Sequence, residues 1–85
     1  MKVIYCLECE DIIKLDGIKQ YCFCGNSHGY YLPGDNLNAK YGGSAVPLCI
    51  DNDSFDKAVN GQLKRTSVVF TAFVIPEECE TFKKE

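Results

Sequence analysis

The sequence predicts a single domain of the α+β class, rich in β-strands, with N-terminal hairpins packed on a C-terminal strand–helix–strand unit. Three observations carry this prediction: two close pairs of cysteines near the N-terminus, short apolar runs separated by turn-forming residues, and one short helical pattern. The 85 residues suffice for one domain. Because a chain this short buries only about 60–65% of its unfolded surface, its core alone gives marginal stability.

Four cysteines are the candidate metal ligands: Cys6 and Cys9 form one pair, and Cys22 and Cys24 form the second. Two thiolate pairs presented by two turns suit tetrahedral Zn²⁺, and four thiolates indicate a structural ion because they leave no open position for water. One such zinc per chain would add on the order of 10 kcal/mol of apparent stability. The second pair has one intervening residue where the usual turn has two, so His28 stays open as a replacement for Cys22. Buried or redox-active thiols are the alternative interpretation.

Residues 1–32 fit a zinc ribbon, in which hairpins carry the cysteine pairs. The predicted strands are residues 3–5, 12–15 and 18–21. Asp16-Gly17 is a strong two-residue turn signal, so we expect the second and third of these strands to form a hairpin. Gly25 follows Cys24 directly, as expected for a tight turn in which backbone N–H groups approach the sulfur.

Residues 33–44 are dense in turn formers, and we predict an exposed loop there. Loops of about twelve residues are uncommon in small domains and are often functional. Tyrosine rings can stack on a base or on a partner side chain, and a Gly-Gly-Ser backbone can present N–H groups to a phosphate. The candidate ligand- or partner-binding residues are Tyr30, Tyr31, Lys40, Tyr41, Gly42, Gly43 and Ser44. The alternative is a surface loop with tyrosines packed beneath it.

Residues 45–85 predict a strand, a helix, a second strand and a tail. The first strand covers residues 45–50. Asp53 is the expected N-cap of a helix of about seven residues, with Phe55, Ala58 and Val59 at helical spacing and Gly61 at its end.

Residues 67–75 (SVVFTAFVI) are the strongest strand pattern in the chain. Both faces of this strand are apolar, which is typical of a strand covered on both sides. One helix can cover only one face. We therefore expect the ribbon or a second copy of the chain to cover the other, and we predict a homo-oligomer on this basis.

Charge and cysteine content limit the partners. The net charge is −3, and Arg65 is the only arginine. Duplex DNA binding draws on clusters of Lys and Arg, so this charge balance argues against nucleic acid as a partner. An anionic ligand would need Lys40, Lys64 and Arg65 to converge. No signal peptide or membrane-spanning run is visible, and paired thiols favour metal over disulfide in a reducing compartment, so we expect a cytoplasmic protein.

Two further groups of residues are expected to serve the structure rather than chemistry. Cys49 lies in an apolar run and should pack as a small hydrophobic residue. Cys79 lies among acidic residues, whose charge should disfavour its thiolate. The acidic residues Asp51, Asp53, Asp56, Glu77, Glu78 and Glu80 are either a solvated surface with a helix cap or a negative face for a basic partner.

The chain resembles the small zinc-ribbon proteins encoded by phages and prophages. The segments that carry the resemblance are Tyr5-Cys6-x-x-Cys9, Cys22-x-Cys24-Gly25, Ala45-Val46-Pro47-Leu48, Asn52-Asp53-Ser54-Phe55 and Phe73-Val74-Ile75-Pro76-x-x-Cys79-x-Thr81-Phe82-Lys83. The resemblance spans most of the chain and supplies no catalytic residues. It implies a protein of the cytoplasm of an infected bacterium that acts by binding, either inhibiting a host defence protein or sequestering a small nucleotide-type ligand.

Three hypotheses for the function follow. The leading one is a non-enzymatic, zinc-stabilised binding protein. The second is a zinc-ribbon adaptor that binds nucleic acid or a transcription complex, against which the acidic balance counts. The third is an enzyme that uses the ribbon as a scaffold, which would require Cys49 or Cys79 to lie beside His28 in a pocket.

Overall fold

The computed structural model describes all 85 residues and contains two four-stranded sheets and one helix, which confirms the β-rich α+β prediction. The strands are β1 Lys2–Cys6, β2 Ile12–Lys14, β3 Gln20–Tyr21, β4 Ser27–Tyr31, β5 Ala39–Gly43, β6 Ala45–Ile50, β7 Ala72–Val74 and β8 Phe82–Lys84. The helix is α1 Asn52–Asn60. No helix has both the length and the apolar character needed to cross a membrane.

The two sheets each combine strands from both halves of the chain. Sheet 1 has the order β2-β1-β6-β7, with every pair antiparallel. Sheet 2 has the order β3-β4-β5-β8, and its last pair is parallel. The predicted ribbon and the predicted C-terminal unit are therefore interleaved rather than packed side by side.

The core lies between the two sheets and is small. Only 14 of the 85 residues are buried, so the fold has few apolar contacts to stabilise it. The central cluster consists of Ile4, Leu15, Ala39, Tyr41, Ile75 and Phe82. The rings of Tyr41 and Phe82 meet edge to face with centroids 5.2 Å apart, a favourable aromatic geometry.

The hairpin predicted at Asp16-Gly17 is wrong. The strand before this turn, β2, pairs with β1 in sheet 1, whereas the strand after it, β3, pairs with β4 in sheet 2. The Asp16 carboxylate accepts hydrogen bonds from the Ile18 N–H at 2.8 Å and from the Gln20 side chain at 3.0 Å. This side-chain turn directs the chain from one sheet to the other, which a two-residue hairpin could not do.

The loop predicted over residues 33–44 is wrong for its second half, because residues 39–43 form β5 in the middle of sheet 2. Ala39 and Tyr41 alternate into the core with 3% and 2% exposure. This alternation is short and is followed by Gly42 and Gly43, which are typical of turns, so the sequence did not indicate a strand. The turn before β5 is closed by Asp35, whose carboxylate accepts from the N–H groups of Leu37 and Asn38.

The predicted helix is present but begins earlier than expected. Its N-cap is Asp51, not Asp53, because the Asp51 carboxylate accepts from the Ser54 N–H at 2.9 Å. Asp53 lies in the first turn and forms an ion pair with Lys57 at 3.1 Å. Gly61 ends the helix, as predicted.

The long strand predicted over residues 67–75 is reduced to β7, residues 72–74. The expectation that other elements cover it on both sides is also wrong, since every residue from 59 to 74 is exposed and Ile75 is the first buried one. The apolar pattern was correct, but the single chain provides no second strand beside residues 67–71, and its only layer there is α1, whose Phe55 ring meets the Phe70 ring with centroids 4.9 Å apart.

Candidate metal centre

The four cysteines of the predicted site come together at one end of the molecule. Cys6 ends β1 and Cys9 lies in the β1–β2 turn, whereas Cys22 and Cys24 lie in the β3–β4 turn. All four Sγ atoms lie within 4.8 Å of one another, so the group could hold a metal ion. Because β1 belongs to sheet 1 and β3 and β4 belong to sheet 2, this centre links the two sheets.

The sulfur positions fit a tetrahedral ion with thiolate ligands. Cys6 Sγ lies 3.7 Å from Cys24 Sγ, and Cys22 Sγ lies 3.5 Å from Cys24 Sγ. A tetrahedron with Zn–S bonds of about 2.3 Å has edges of about 3.8 Å. The single residue between Cys22 and Cys24 is therefore compatible with a shared ion.

The backbone of both turns supports the sulfur atoms. The Cys9 N–H donates to Cys6 Sγ at 3.5 Å, and the Ser27 N–H donates to Cys22 Sγ at 3.2 Å. Each turn reverses through a positive φ, +62° at Glu10 and +81° at Gly25. Gly25 was predicted for this role, whereas Glu10 occupies the equivalent position without the conformational freedom of glycine.

The four thiols influence one another's protonation. The Ser27 hydroxyl and the Cys9 N–H lower the pKa of Cys6 to about 6. At Cys24 the Asn26 N–H favours the thiolate, but desolvation and the hydrogen bonds with the other three cysteines outweigh it and raise the pKa to about 12. Several thiolates this close repel one another, and a divalent cation removes that repulsion.

Ser27 is a buried residue whose position suits a metal-bound sulfur. Its side chain is completely buried, and its Oγ has no hydrogen-bond partner of normal geometry. The acceptor that its position offers is the sulfur of Cys6. A hydroxyl that donates to a metal-bound sulfur is a contact known to tune metal sites, so a buried hydroxyl beside the Cys6 sulfur fits a thiolate centre.

Acidic side chains join the two cysteine turns. The Asp11 carboxylate accepts from the Phe23 N–H at 2.9 Å. The Glu8 carboxylate accepts from the Asn26 amide at 3.2 Å and from the Ser44 hydroxyl. The sequence did not indicate either acid, because their partners lie 12 to 36 positions away. No local spacing distinguishes Glu8 and Asp11 from their acidic neighbours.

His28, the alternative ligand, points to a different group. Its Nε2 lies 2.7 Å from a carboxylate oxygen of Glu85, and the Tyr30 hydroxyl donates to the other oxygen of Glu85. The hydrogen bonds from Tyr30 and then from His28 lower the pKa of Glu85. The structure therefore places Cys22, not His28, with the other three ligands.

The predicted ligand-binding segment has a packing role in much of its length. Tyr41 is buried in the core, and Tyr31 packs against the same cluster. Gly43 has φ +75°, and a Cβ at that position would lie 1.9 Å from the Asn26 carbonyl oxygen. The Ser44 N–H donates to that same oxygen at 2.9 Å. Gly42 lies against the ring of His28. The binding role of this segment stays a prediction.

The two remaining cysteines lie apart from the centre. Cys49 packs against the core cluster, as predicted. For Cys79 the expectation was wrong, because hydrogen bonds from the Thr81 side chain and backbone lower its pKa. Neither cysteine forms a hydrogen bond with His28.

The C-terminal half contains an open cleft of about 560 Å³ between the end of α1 and the segment that follows it. Its polar lining residues include Lys64, Arg65, Thr66 and Ser67, and its apolar ones include Val68 and Phe70. Neither cation takes part in an ion pair. Lys40, the third expected anchor of an anionic ligand, lies on β5 and not in this cleft.

A second cavity of about 340 Å³ is a groove on the outer face of sheet 1. All of its lining residues are apolar, and they come from β1, β2, β6, β7 and Phe70 just before β7. The groove therefore offers no polar group to orient a small polar ligand.

Comparison with protein-family models, curated proteins and solved structures finds no match to this chain.

Proposed function

We propose that this chain is a non-enzymatic binding protein, stabilised by one structural zinc ion, that sequesters a small anionic ligand of the nucleotide type. Cys6, Cys9, Cys22 and Cys24 would hold the ion. Four thiolates match the preference of Zn²⁺ and occupy all four of its positions, which leaves none for substrate or water. The ion then supplies stability to a domain with a small core, and binding falls to other surfaces.

The observation that carries the ligand is the cleft beside α1. Lys64 and Arg65 are the only charged residues between positions 61 and 76, so this stretch is locally positive in an acidic protein. Two unpaired cations and two hydroxyls suit a phosphate group, and apolar lining residues such as Phe70 suit a base. A volume of about 560 Å³ lies within the size range of small-molecule sites.

Native mass spectrometry of the protein from its expression host tests both parts of the proposal. We expect one zinc per chain and an additional bound mass that is released on denaturation. The probes for a purified, ligand-free sample are adenosine and guanosine phosphates, with binding followed by calorimetry. Absence of zinc would contradict the metal assignment. A protein that retains no small molecule and binds none of the probes would contradict sequestration.

Reversing the charges of Lys64 and Arg65 tests whether the ligand binds in this cleft. We expect the double variant Lys64→Glu/Arg65→Glu to lose binding by at least tenfold, because each charged hydrogen bond contributes about 1.5–3 kcal/mol. Lys40→Glu and Lys14→Glu are the matched controls on strands outside the cleft and should bind as the wild type does. Equal loss in the Lys40 variant would move the site to β5, which carries several of the binding residues expected from the sequence.

The second candidate is inhibition of a host defence protein, in line with the phage resemblance. The exposed apolar residues of segment 59–74 favour it, because exposed apolar surface of this extent marks protein contacts. Pull-down from host extract, with Val69→Lys as the control bait, tests it. A nucleic-acid adaptor remains an alternative, and tight, salt-sensitive mobility shifts with single- or double-stranded probes would favour it over both.

A further inference from the structure

The backbone before β7 is free of partners. No backbone group of residues 63–70 forms a hydrogen bond with another backbone group. These residues lead directly into β7, which is the edge strand of sheet 1. An edge with a row of free N–H and C=O groups is a template for a further strand.

The free backbone groups of β7 itself also point outward. The Thr71 carbonyl accepts from the Asp51 N–H, and the Ile75 N–H donates to the Pro47 carbonyl, both at 2.9 Å. Because backbone groups alternate along a strand, those of Ala72 and Val74 face away from β6. Monomeric proteins protect such edges with lysines, prolines or bulges. Residues 66–75 contain neither a charged residue nor a proline.

The side chains of the same segment are apolar and in solvent. Val69 is 87% exposed and Val74 is 64% exposed. Phe70 and Val74 also line the apolar groove on the outer face of sheet 1, beside Val3 and Leu48. The free edge and the groove are therefore one continuous apolar surface.

The total surface of the chain is larger than that of a monomer of its size. The accessible surface is 5937 Å², whereas a monomeric protein of 9.5 kDa exposes about 5,050 Å². The excess of about 900 Å² is close to the roughly 800 Å² that each partner buries in an interface of standard size. The radius of gyration, 13.8 Å, likewise exceeds the value of about 12 Å for a compact domain of this length.

The charges at the two ends of the segment match an antiparallel copy of itself. Lys64 and Arg65 precede it, and Glu77 and Glu78 follow it. If two copies are aligned antiparallel with Thr71 opposite Thr71, the basic end of each segment lies beside the acidic end of the other. Parallel alignment would place like charges together, which is unfavourable.

We infer that two copies of this chain pair antiparallel along residues 67–75, about a two-fold axis at Thr71, so that the two copies of sheet 1 become one continuous sheet. In this register Phe70 lies opposite Ala72, and their outward backbone groups supply the hydrogen bonds. Val68 lies opposite Val74. An isologous contact of this kind closes on itself and gives a dimer. Because Lys64 and Arg65 also line the ligand cleft, pairing of the two copies and ligand binding would compete for these two cations.

Light scattering after size exclusion, over about 10 to 200 µM, tests the dimer. We expect a mass of two chains for the wild type and of one chain for Ala72→Pro. Proline removes an N–H that points away from β6, so it should block the pairing of copies while sheet 1 of each copy remains intact. A wild type that stays monomeric throughout this range would overturn the proposal. So would an Ala72→Pro variant that keeps its zinc, its circular dichroism and the dimeric mass.

Charge variants at the axis test the register even if the proline variant fails to fold. Thr71 offers only its backbone to the rest of the chain, so its side chain can be changed. Thr71→Lys and Thr71→Glu each place like charges in contact across the axis and should weaken the dimer about tenfold. An equimolar mixture should restore it as a heterodimer. Ile18→Lys, at an exposed site remote in sequence, is the control and should leave the dimer unchanged. Failure of the mixture to restore the dimer, or equal weakening by the control, would overturn the register.

Discussion

The two cysteine turns and residues 59–74 differ in how the chain holds them. The turns are fixed by sulfur atoms within 4.8 Å of one another, by N–H groups directed at the sulfur and by carboxylates that connect one turn to the other. Segment 59–74 contains no buried residue, although it includes the most apolar run of the chain. A metal centre can hold a small domain together without apolar side chains, which leaves those side chains available for contacts with other molecules.

Removing one of the four cysteines should have the largest effect of the predicted changes. It tests whether the metal centre holds the cysteine turns together. Cys22→Ser should lose the metal and, with it, apparent stability on the order of 10 kcal/mol, so that the protein unfolds at room temperature. Metal analysis and far-ultraviolet circular dichroism measure this. Cys49→Ser is the control and should keep one ion per chain. A folded Cys22→Ser protein with full metal content would show that the centre does not hold the fold.

Replacing a phenylalanine by alanine in the core and in a cysteine turn compares how much apolar contacts contribute to stability in the two regions. Phe82 is completely buried, and Phe82→Ala should cost about 3–5 kcal/mol of unfolding free energy through lost burial and the cavity that remains. Phe23, between the two cysteines of the second turn, is 92% exposed, so Phe23→Ala should change stability by less than about 0.5 kcal/mol. Denaturant titration at saturating zinc measures both. A large cost at Phe23 would show that apolar contacts, not the ion, hold the turn.

Gly43 tests how closely β5 approaches the second cysteine turn. Gly43→Ala combines a positive φ with a Cβ position 1.9 Å from the Asn26 carbonyl oxygen, so we expect a loss of about 2–4 kcal/mol. Gly17→Ala is the matched control, because nothing lies within 4 Å of its Cβ position and its φ is not positive. Thermal unfolding of the two variants measures the difference, and equal midpoints would contradict the close approach.

The smallest expected effect concerns Glu85, whose pKa is lowered by hydrogen bonds from Tyr30 and His28. A carboxyl with a lowered pKa stabilises the fold above its ordinary value of 4.5, and this contribution is lost as the pH falls through the lowered pKa. The carboxyl carbon resonance of Glu85 should titrate below pH 4.5. In Tyr30→Phe the midpoint should move upward. An unchanged midpoint would show that the Tyr30 hydroxyl does not hold this carboxylate.

The features that the sequence predicted well are those encoded by neighbouring residues. The clustering of the four cysteines was predicted because each turn contains its own pair, and Gly61 was predicted because a helix end depends on local conformation. The strand pairing around Asp16-Gly17 was predicted wrongly. The dipeptide indicates a turn, but it does not determine whether the strands on its two sides pair with each other. Here the Asp16 side chain fixes a turn between two sheets.

Distant contacts account for the rest. Tyr41 was assigned to a ligand loop because its burial depends on Phe82, which is far away in the sequence. Glu8 and Asp11 were missed for the same reason. The apolar pattern of residues 67–75 correctly indicates surface that avoids water, but a pattern does not state whether the covering layer belongs to the same chain.

The link that the cysteine turns make between the two sheets has a consequence for folding kinetics. All four ligands lie within residues 6–24, so closing the metal loops costs little chain entropy. The pairings of β1 with β6 and of β5 with β8 join residues much further apart, and such contacts form slowly. The ion should therefore bind before the sheets are complete and act as the nucleus on which they assemble. Stopped-flow refolding would then show a folding rate that rises with zinc concentration, whereas a rate independent of zinc would place metal binding after the sheets form.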